Sequence, residues 1–152
     1  MIGRLKALFP EAEFPTPQDI VGSDFDAMRS CGFSASKVAT IKAIAAGALS
    51  GLVPPGRIAV HMTDDLLIER TVTIKGIGRW TVEMLLMYSL ERTDILPADD
   101  FGVREGYRAL KALPQAPTPK ELRAIGTAWA PHRTVASWYL WRMPRERGKM
   151  LA

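Results

Sequence analysis

Apolar residues recur along this chain at the three- and four-residue intervals of a helix, and no segment sustains the alternation of a half-buried strand. Ile2, Leu5, Leu8 and Phe9 share one helical face, and Pro10 closes that helix. Thr16 and Pro17 form a cap and first turn for a short helix through Val21, and Ser23 is expected to cap another that ends at Gly32. Ser34 opens the first long helix. It carries Val38, Ile41, Ala45 and Leu49 on one side, has Lys37 and Lys42 toward another, and ends at Gly51. A turn is expected over Ile58 to Met62, and Thr63-Asp64-Asp65 makes an acid-rich start for the next helix. Val103 to Leu113 reads as a helix, Thr118-Pro119-Lys120-Glu121 is a capping box that opens one reaching Trp129, and Pro131 opens the last, to Arg142. Arg142, Arg145, Arg147 and Lys149 make a basic tail that is expected to fray. The pattern predicts an all-α fold of about eight helices packed on one core, as a single domain over 1–152.

The stretch from Ile74 to Arg104 organises the rest. Leu66, Leu67 and Val72 precede it, and Val82, Met84, Leu85, Leu86, Tyr88 and Leu90 follow a short glycine turn, Lys75-Gly76-Ile77-Gly78. Two helices are therefore joined by a hairpin. Its glycines lack Cβ, which permits φ > 0 and close approach of backbone to a ligand. The helix that begins near Trp80 presents its amino end, a region of partial positive charge, so phosphate is the natural guest beside Lys75 and Arg79. A glycine-capped helical hairpin with no ligand would carry the same short pattern. Asp99 and Asp100 follow Pro97. An acidic pair there suits a solvated helix start, and it equally offers a fixed anion for chemistry.

Composition narrows the possibilities. Lys and Arg number 20 against 16 Asp and Glu, a positive excess that fits a polyanionic partner. The single cysteine, Cys31, rules out an internal disulfide and a four-cysteine iron–sulfur cluster. His61 and His132 are far apart in sequence, which argues against zinc. No apolar run reaches the roughly 18 residues of a membrane span, and the first residues lack the pattern of a signal peptide, so an intracellular (cytoplasmic) location is expected. Asp100-Phe101-Gly102 spells the metal-binding triplet of protein kinases, but this short chain has neither their glycine-rich strand loop nor H-R-D.

Taken together, I-K-G-I-G-R-W-T, the later L-P-A-D-D-F-G-V-R, Phe14-Pro15-Thr16-Pro17 and Trp129-Ala130-Pro131-His132-Arg133 to Tyr139-Leu140-Trp141 resemble the helix-hairpin-helix DNA glycosylase superfamily. The nearest likeness is to its 3-methyladenine DNA glycosylase II branch, from about Ile2 to Arg142. The resemblance implies two helical lobes with a cleft between them. It also implies base-excision repair: hydrolysis of the glycosidic bond of alkylated purines such as 3-methyladenine in double-stranded DNA. Asp100 matches the catalytic carboxylate, and Asp99 is then expected to cap the helix or support its neighbour. Trp80 and Trp141 match aromatic positions of the base pocket, Trp138 is a further candidate, and Phe101 and Tyr139 are expected to pack. Lys75, Gly76, Ile77, Gly78, Arg79 and Thr81 would contact DNA. Carbonyls of Thr73, Gly76 and Gly78, with Lys75 an alternative, would hold a structural monovalent cation, potassium or sodium; no other cofactor is implied. Trp80 stands where bifunctional relatives carry a Schiff-base lysine, so a monofunctional glycosylase is implied.

The sequence departs from the family in three places. Lys75 replaces a common Pro, and Met84 replaces a pocket Tyr. The chain also lacks the family's amino-terminal helix, which supplies the wedge for base flipping. That absence leaves open a truncated, non-catalytic DNA-binding module, and it predicts marginal stability or self-association through an uncovered apolar face.

Overall fold

The computed structural model describes residues 2–150, with side chains as far as Met143. The basic side chains of Arg145, Arg147 and Lys149 lie outside the described residues. Among those described there is no strand, and the fold is all-α. The helices are α1 (Ile2–Ala7), α2 (Pro17–Gly22), α3 (Phe25–Ser30), α4 (Ala35–Leu49), α5 (Gly56–Ala59), α6 (Asp64–Thr71), α7 (Arg79–Tyr88), α8 (Phe101–Leu110), α9 (Pro119–Gly126) and α10 (Arg133–Met150), with a 3-10 turn over Thr127–Trp129. Among the described residues no helix is long and apolar enough to cross a membrane.

Starts and stops follow local chemistry. Thr16 and Asp19 close a capping box around Pro17, and Thr118 and Glu121 close another around Pro119. Ser34 and Thr63 cap α4 and α6. Two expectations are corrected. Asp24, not Ser23, caps α3; its carboxylate accepts from the Ala27 N–H at 2.7 Å, while the Ser23 hydroxyl donates back to the Ile20 carbonyl at 2.7 Å. The helix expected from Val103 begins two residues earlier because Asp100 caps it.

The chain divides into two compact units, Met1–Arg79 and Trp80–Ala152. The core of the first gathers Leu5, Ile20, Met28, Val38 and Ala45, with Phe9, Phe33 and Ile41 packed against them. Lys42 Nζ donates to the carbonyls of Val21 and Ser23 at 2.9 and 2.5 Å and so finishes α2, whose last carbonyls have no partner within the helix. The core of the second gathers Ala98, Val103, Leu122 and Leu140, flanked by Leu96, Tyr107, Trp129 and Trp141. In that unit α8 and α10 meet backbone to backbone: a Cβ on Gly106 would fall 1.9 Å from the Leu140 carbonyl oxygen. The amino end of α10 is stitched to the loop between α7 and α8. Arg133 grips the Asp94 carboxylate through Nε at 2.6 Å and a terminal nitrogen at 2.8 Å. The Thr134 hydroxyl donates to the Arg92 carbonyl at 2.7 Å and accepts from the Ile95 N–H at 3.0 Å.

Candidate active site and nucleic-acid interface

The hairpin belongs to the first unit, where α4 shapes it. Ile74 is buried, and its Cδ1 sits 3.2 Å from where a side chain on Gly47 would begin. Gly76 takes φ +91°, and a Cβ there would fall 2.1 Å from Thr40 Oγ1. The Thr40 hydroxyl lies 3.0 Å from the Ser36 carbonyl and 3.4 Å from the Lys75 carbonyl. Only one of the two hairpin glycines needs its conformational freedom. Gly78 is not in the left-handed region, and nothing lies within 4 Å of the Cβ it lacks. The two uses expected of the glycines are thus divided: Gly76 takes φ > 0, and Gly78 is the position open to an approaching ligand. Lys75, Arg79 and Thr81 are exposed around the turn, while Ile77 is half-buried.

The turn closes with the Ile74 N–H on the Thr71 carbonyl at 3.1 Å and the Ile77 N–H on the Ile74 carbonyl at 3.0 Å. Those bonds use neither the Thr73, Gly76 nor Gly78 carbonyl. Backbone carbonyls are neutral oxygen donors of the kind that suits a hard monovalent cation.

The carboxylate belongs to the second unit. The Asp100 N–H donates to the Pro97 carbonyl at 2.9 Å, closing a turn that sets the residue at the amino end of α8 in extended conformation, φ −67° and ψ 126°. Its Oδ1 accepts from the Val103 N–H at 2.8 Å and from Trp141 Nε1 at 2.7 Å; Oδ2 accepts from Trp80 Nε1 at 2.8 Å. Asp100 is therefore both the cap and the group facing the two indoles. Of the two roles expected for Asp99, that of cap is corrected: the same turn directs Asp99 outward, where it pairs with Arg123.

Trp80 and Trp141, candidates from sequence, thus meet on Asp100. Trp138 is half-exposed and stacks on Tyr88, with ring centroids 6.2 Å apart and planes inclined by 19°. Trp141 and Trp138, with Tyr88, Phe101, Glu105 and Arg142, line an open cavity of about 790 Å³. Its mostly aromatic lining suits a flat heterocycle, and Trp141 joins it to the carboxylate. Phe101 and Tyr139, expected to pack, are instead 71% and 69% exposed. The residue after the cap starts the outer side of α8, and Tyr139 lies on α10 one residue from the buried Leu140.

Three contributions are not visible in the motifs. Thr40 buttresses the hairpin from more than thirty residues upstream. Tyr88 pairs with Trp138 across the fold. Gly102 gives clearance to the carboxylate: its Cβ would lie 2.9 Å from Trp141 Cδ1 and 3.1 Å from Asp100 Oδ1. Only the last leaves a sequence signal, since Gly102 and Gly106 fall four residues apart on one helical face.

The chain is 48% identical over 142 residues to DNA-3-methyladenine glycosylase 1 of Schizosaccharomyces pombe, covering 93% of this chain and 62% of that protein. It is 36% identical over 133 residues to an alkylbase DNA glycosidase-like protein of the same organism, covering 88% and 62%. Both relatives are thus longer than the stretch matched here. Among solved structures, the S. pombe 3-methyladenine DNA glycosylase in complex with abasic DNA superposes with TM-score 0.85 at 48% identity, over 92% of this chain and 68% of that one. A DNA-3-methyladenine glycosidase from Bacillus halodurans superposes with TM-score 0.80 at 33% identity, over 92% and 64%. The family described as HhH-GPD superfamily base excision DNA repair protein matches residues 1–132. With a glycine hairpin buttressed on α4 and a capping carboxylate held by two indoles, the chain belongs to the HhH-GPD superfamily of base excision DNA repair proteins.

Proposed function

We propose that this protein is a monofunctional DNA glycosylase that hydrolyses the glycosidic bond of alkylated purines such as 3-methyladenine. The observation that carries the reading is Asp100, a half-buried carboxylate fixed by three donors beside an aromatic cavity. The 48% identity to a protein named as a 3-methyladenine glycosylase supports it, and weighs against a non-catalytic DNA-binding module. In the reaction the bond from sugar C1′ to the purine nitrogen breaks, and its electron pair leaves with the base. An N-alkylated purine carries positive charge before cleavage and leaves neutral, while positive charge builds on the sugar. A fixed anion stabilises that charge without rearranging, because its orientation was set during folding. The same carboxylate orients the attacking water and receives its proton, and the remaining hydroxyl bonds to C1′. The indole faces of Trp141, Trp138 and Trp80 suit a cationic base by stacking and cation–π attraction.

DNA is held at the hairpin by Lys75, Gly76, Ile77, Gly78, Arg79 and Thr81. The Thr73, Gly76 and Gly78 carbonyls would hold a structural potassium or sodium ion, which would supply a positive charge for phosphate. Trp80 has no amine to form a Schiff base, so strand cleavage does not accompany base release. The exposed apolar side chains of Ile2, on α1, and Leu8, just after it, are candidates for self-association. The protein acts where DNA is.

The test is release of free 3-methyladenine and 7-methylguanine from methylated duplex DNA. Asp100→Asn is expected to lower the rate at least about a hundredfold. Equal release by both proteins removes Asp100 from the chemistry, and no release by either removes the enzyme reading.

A further inference from the structure

The hydrogen bonds on Asp100 distinguish its two oxygens. A carboxylate oxygen has two acceptor positions. Oδ1 fills both, with the Val103 N–H at 2.8 Å and Trp141 Nε1 at 2.7 Å. Among the described residues Oδ2 receives only Trp80 Nε1, at 2.8 Å, and keeps one position open. From this asymmetry we infer that Trp80 and Trp141 are positioning residues for the carboxylate, and that Oδ2 is the oxygen that meets water and the developing sugar cation. The inference rests on the glycosylase reading for the reaction, but the clamp itself does not.

The three donors fix the carboxylate plane. Oδ1 is tied both to the backbone of α8 and to a side chain of α10, and Oδ2 is tied to α7. Rotation of the carboxylate about its bond to Cβ would break all three bonds at once. Gly102 makes the arrangement possible, since any side chain there would press on both Trp141 and Oδ1. Each indole thus has two separable parts. The N–H edge is spent on Asp100, and the ring face remains for other contacts; Trp80 is 46% exposed with its N–H already committed. An amino acid with a ring but no N–H at position 80 would keep the second part and lose the first.

The asymmetry predicts how an amide would sit. In Asp100→Asn the side-chain oxygen must take the Oδ1 place, because two donors point there. The NH2 then takes the Oδ2 place and confronts the Trp80 N–H, donor against donor.

The test uses the whole chain labelled with 15N at tryptophan, with Trp129 and Trp138 as references in the same spectrum. In Asp100→Ala the indole protons of Trp80 and Trp141 are expected to move upfield and exchange faster with solvent. In Asp100→Asn only that of Trp80 is expected to do so. If Trp141 moves instead, or both move, or neither moves, the assignment of Oδ1 and Oδ2 is overturned. A second measurement is single-turnover excision by Trp80→Phe, checked for native dispersion of its amide spectrum. The loss of one charge-assisted bond predicts a chemical step about ten- to a hundredfold slower, with half-saturation by methylated DNA unchanged. An unchanged rate, or a loss confined to half-saturation, overturns the positioning role. The spectra need no turnover, so a chain that excises nothing overturns the glycosylase reading while the indole shifts still decide the clamp.

Discussion

At Gly76 the chain has no room for a side chain and takes a backbone angle that L-residues avoid; at Gly78 neither constraint applies. The two glycines should therefore separate folding from binding. Gly76→Ala combines a left-handed residue with a clash against Thr40, and should cost about 2–4 kcal/mol, seen as a melting temperature lower by roughly 5–15 °C. Gly78→Ala should leave the melting temperature within a degree or two, since a solvent-facing change stays within about 0.5 kcal/mol. On the proposed function it should still weaken binding to duplex DNA in fluorescence anisotropy, because its methyl group would stand where phosphate is proposed to approach the backbone. If DNA affinity is unaffected by Gly78→Ala, phosphate does not approach the hairpin there.

Among the elements, α10 matters most to the site, since it carries Trp138 and Trp141 and begins at the Arg133–Asp94 pair. The Arg133 guanidinium, by its hydrogen bonds, holds the Asp94 carboxyl below its usual range. A carboxyl whose folded value is depressed adds stability that is fully present above its unfolded value, about 3.9, and is lost as pH falls through the folded value. Both side chains are about one-third exposed, so solvent screening keeps the contribution modest, on the order of 1 kcal/mol or less. Asp94→Asn should accordingly melt a few degrees below wild type at pH 6, and the gap should narrow as both are taken to pH 3 and below. Asp19 and Glu121, whose carboxyls are also lowered by their capping hydrogen bonds, titrate in both proteins and cancel in the difference. A gap that persists unchanged at pH 3 would assign the effect to packing.

For the molecule as a whole, the net charge of +4 fits an anionic partner only in outline, and the salt dependence of DNA binding gives a sharper readout. Replacing Lys75 and Arg79 together by Ala should reduce the slope of log affinity against log salt by roughly two, on undamaged duplexes of any sequence. If the hairpin also holds a monovalent cation, affinity at matched ionic strength should be higher in potassium or sodium than in a bulky organic cation. Equal affinity in all three would remove the ion from the hairpin.

The sequence by itself carried whatever local chemistry dictates. Helical period, the caps at Thr16, Ser34, Thr63 and Thr118, the glycine hairpin and the identity of Asp100 all depend on neighbours within a few residues, or on a motif read in order. Caps also marked its limit. Ser23 and Asp24, like Asp99 and Asp100, are adjacent residues able to serve the same role, and a single backbone turn decided between them. Tertiary structure alone decided what depends on distant segments meeting. It set Thr40 beneath Gly76, opened Gly78 to solvent, and brought Trp80 and Trp141 from opposite ends of the second unit onto different oxygens of one carboxylate. Sequence spacing cannot express that last arrangement, because the direction of an indole N–H is fixed by how three helices pack, not by the order in which they are written.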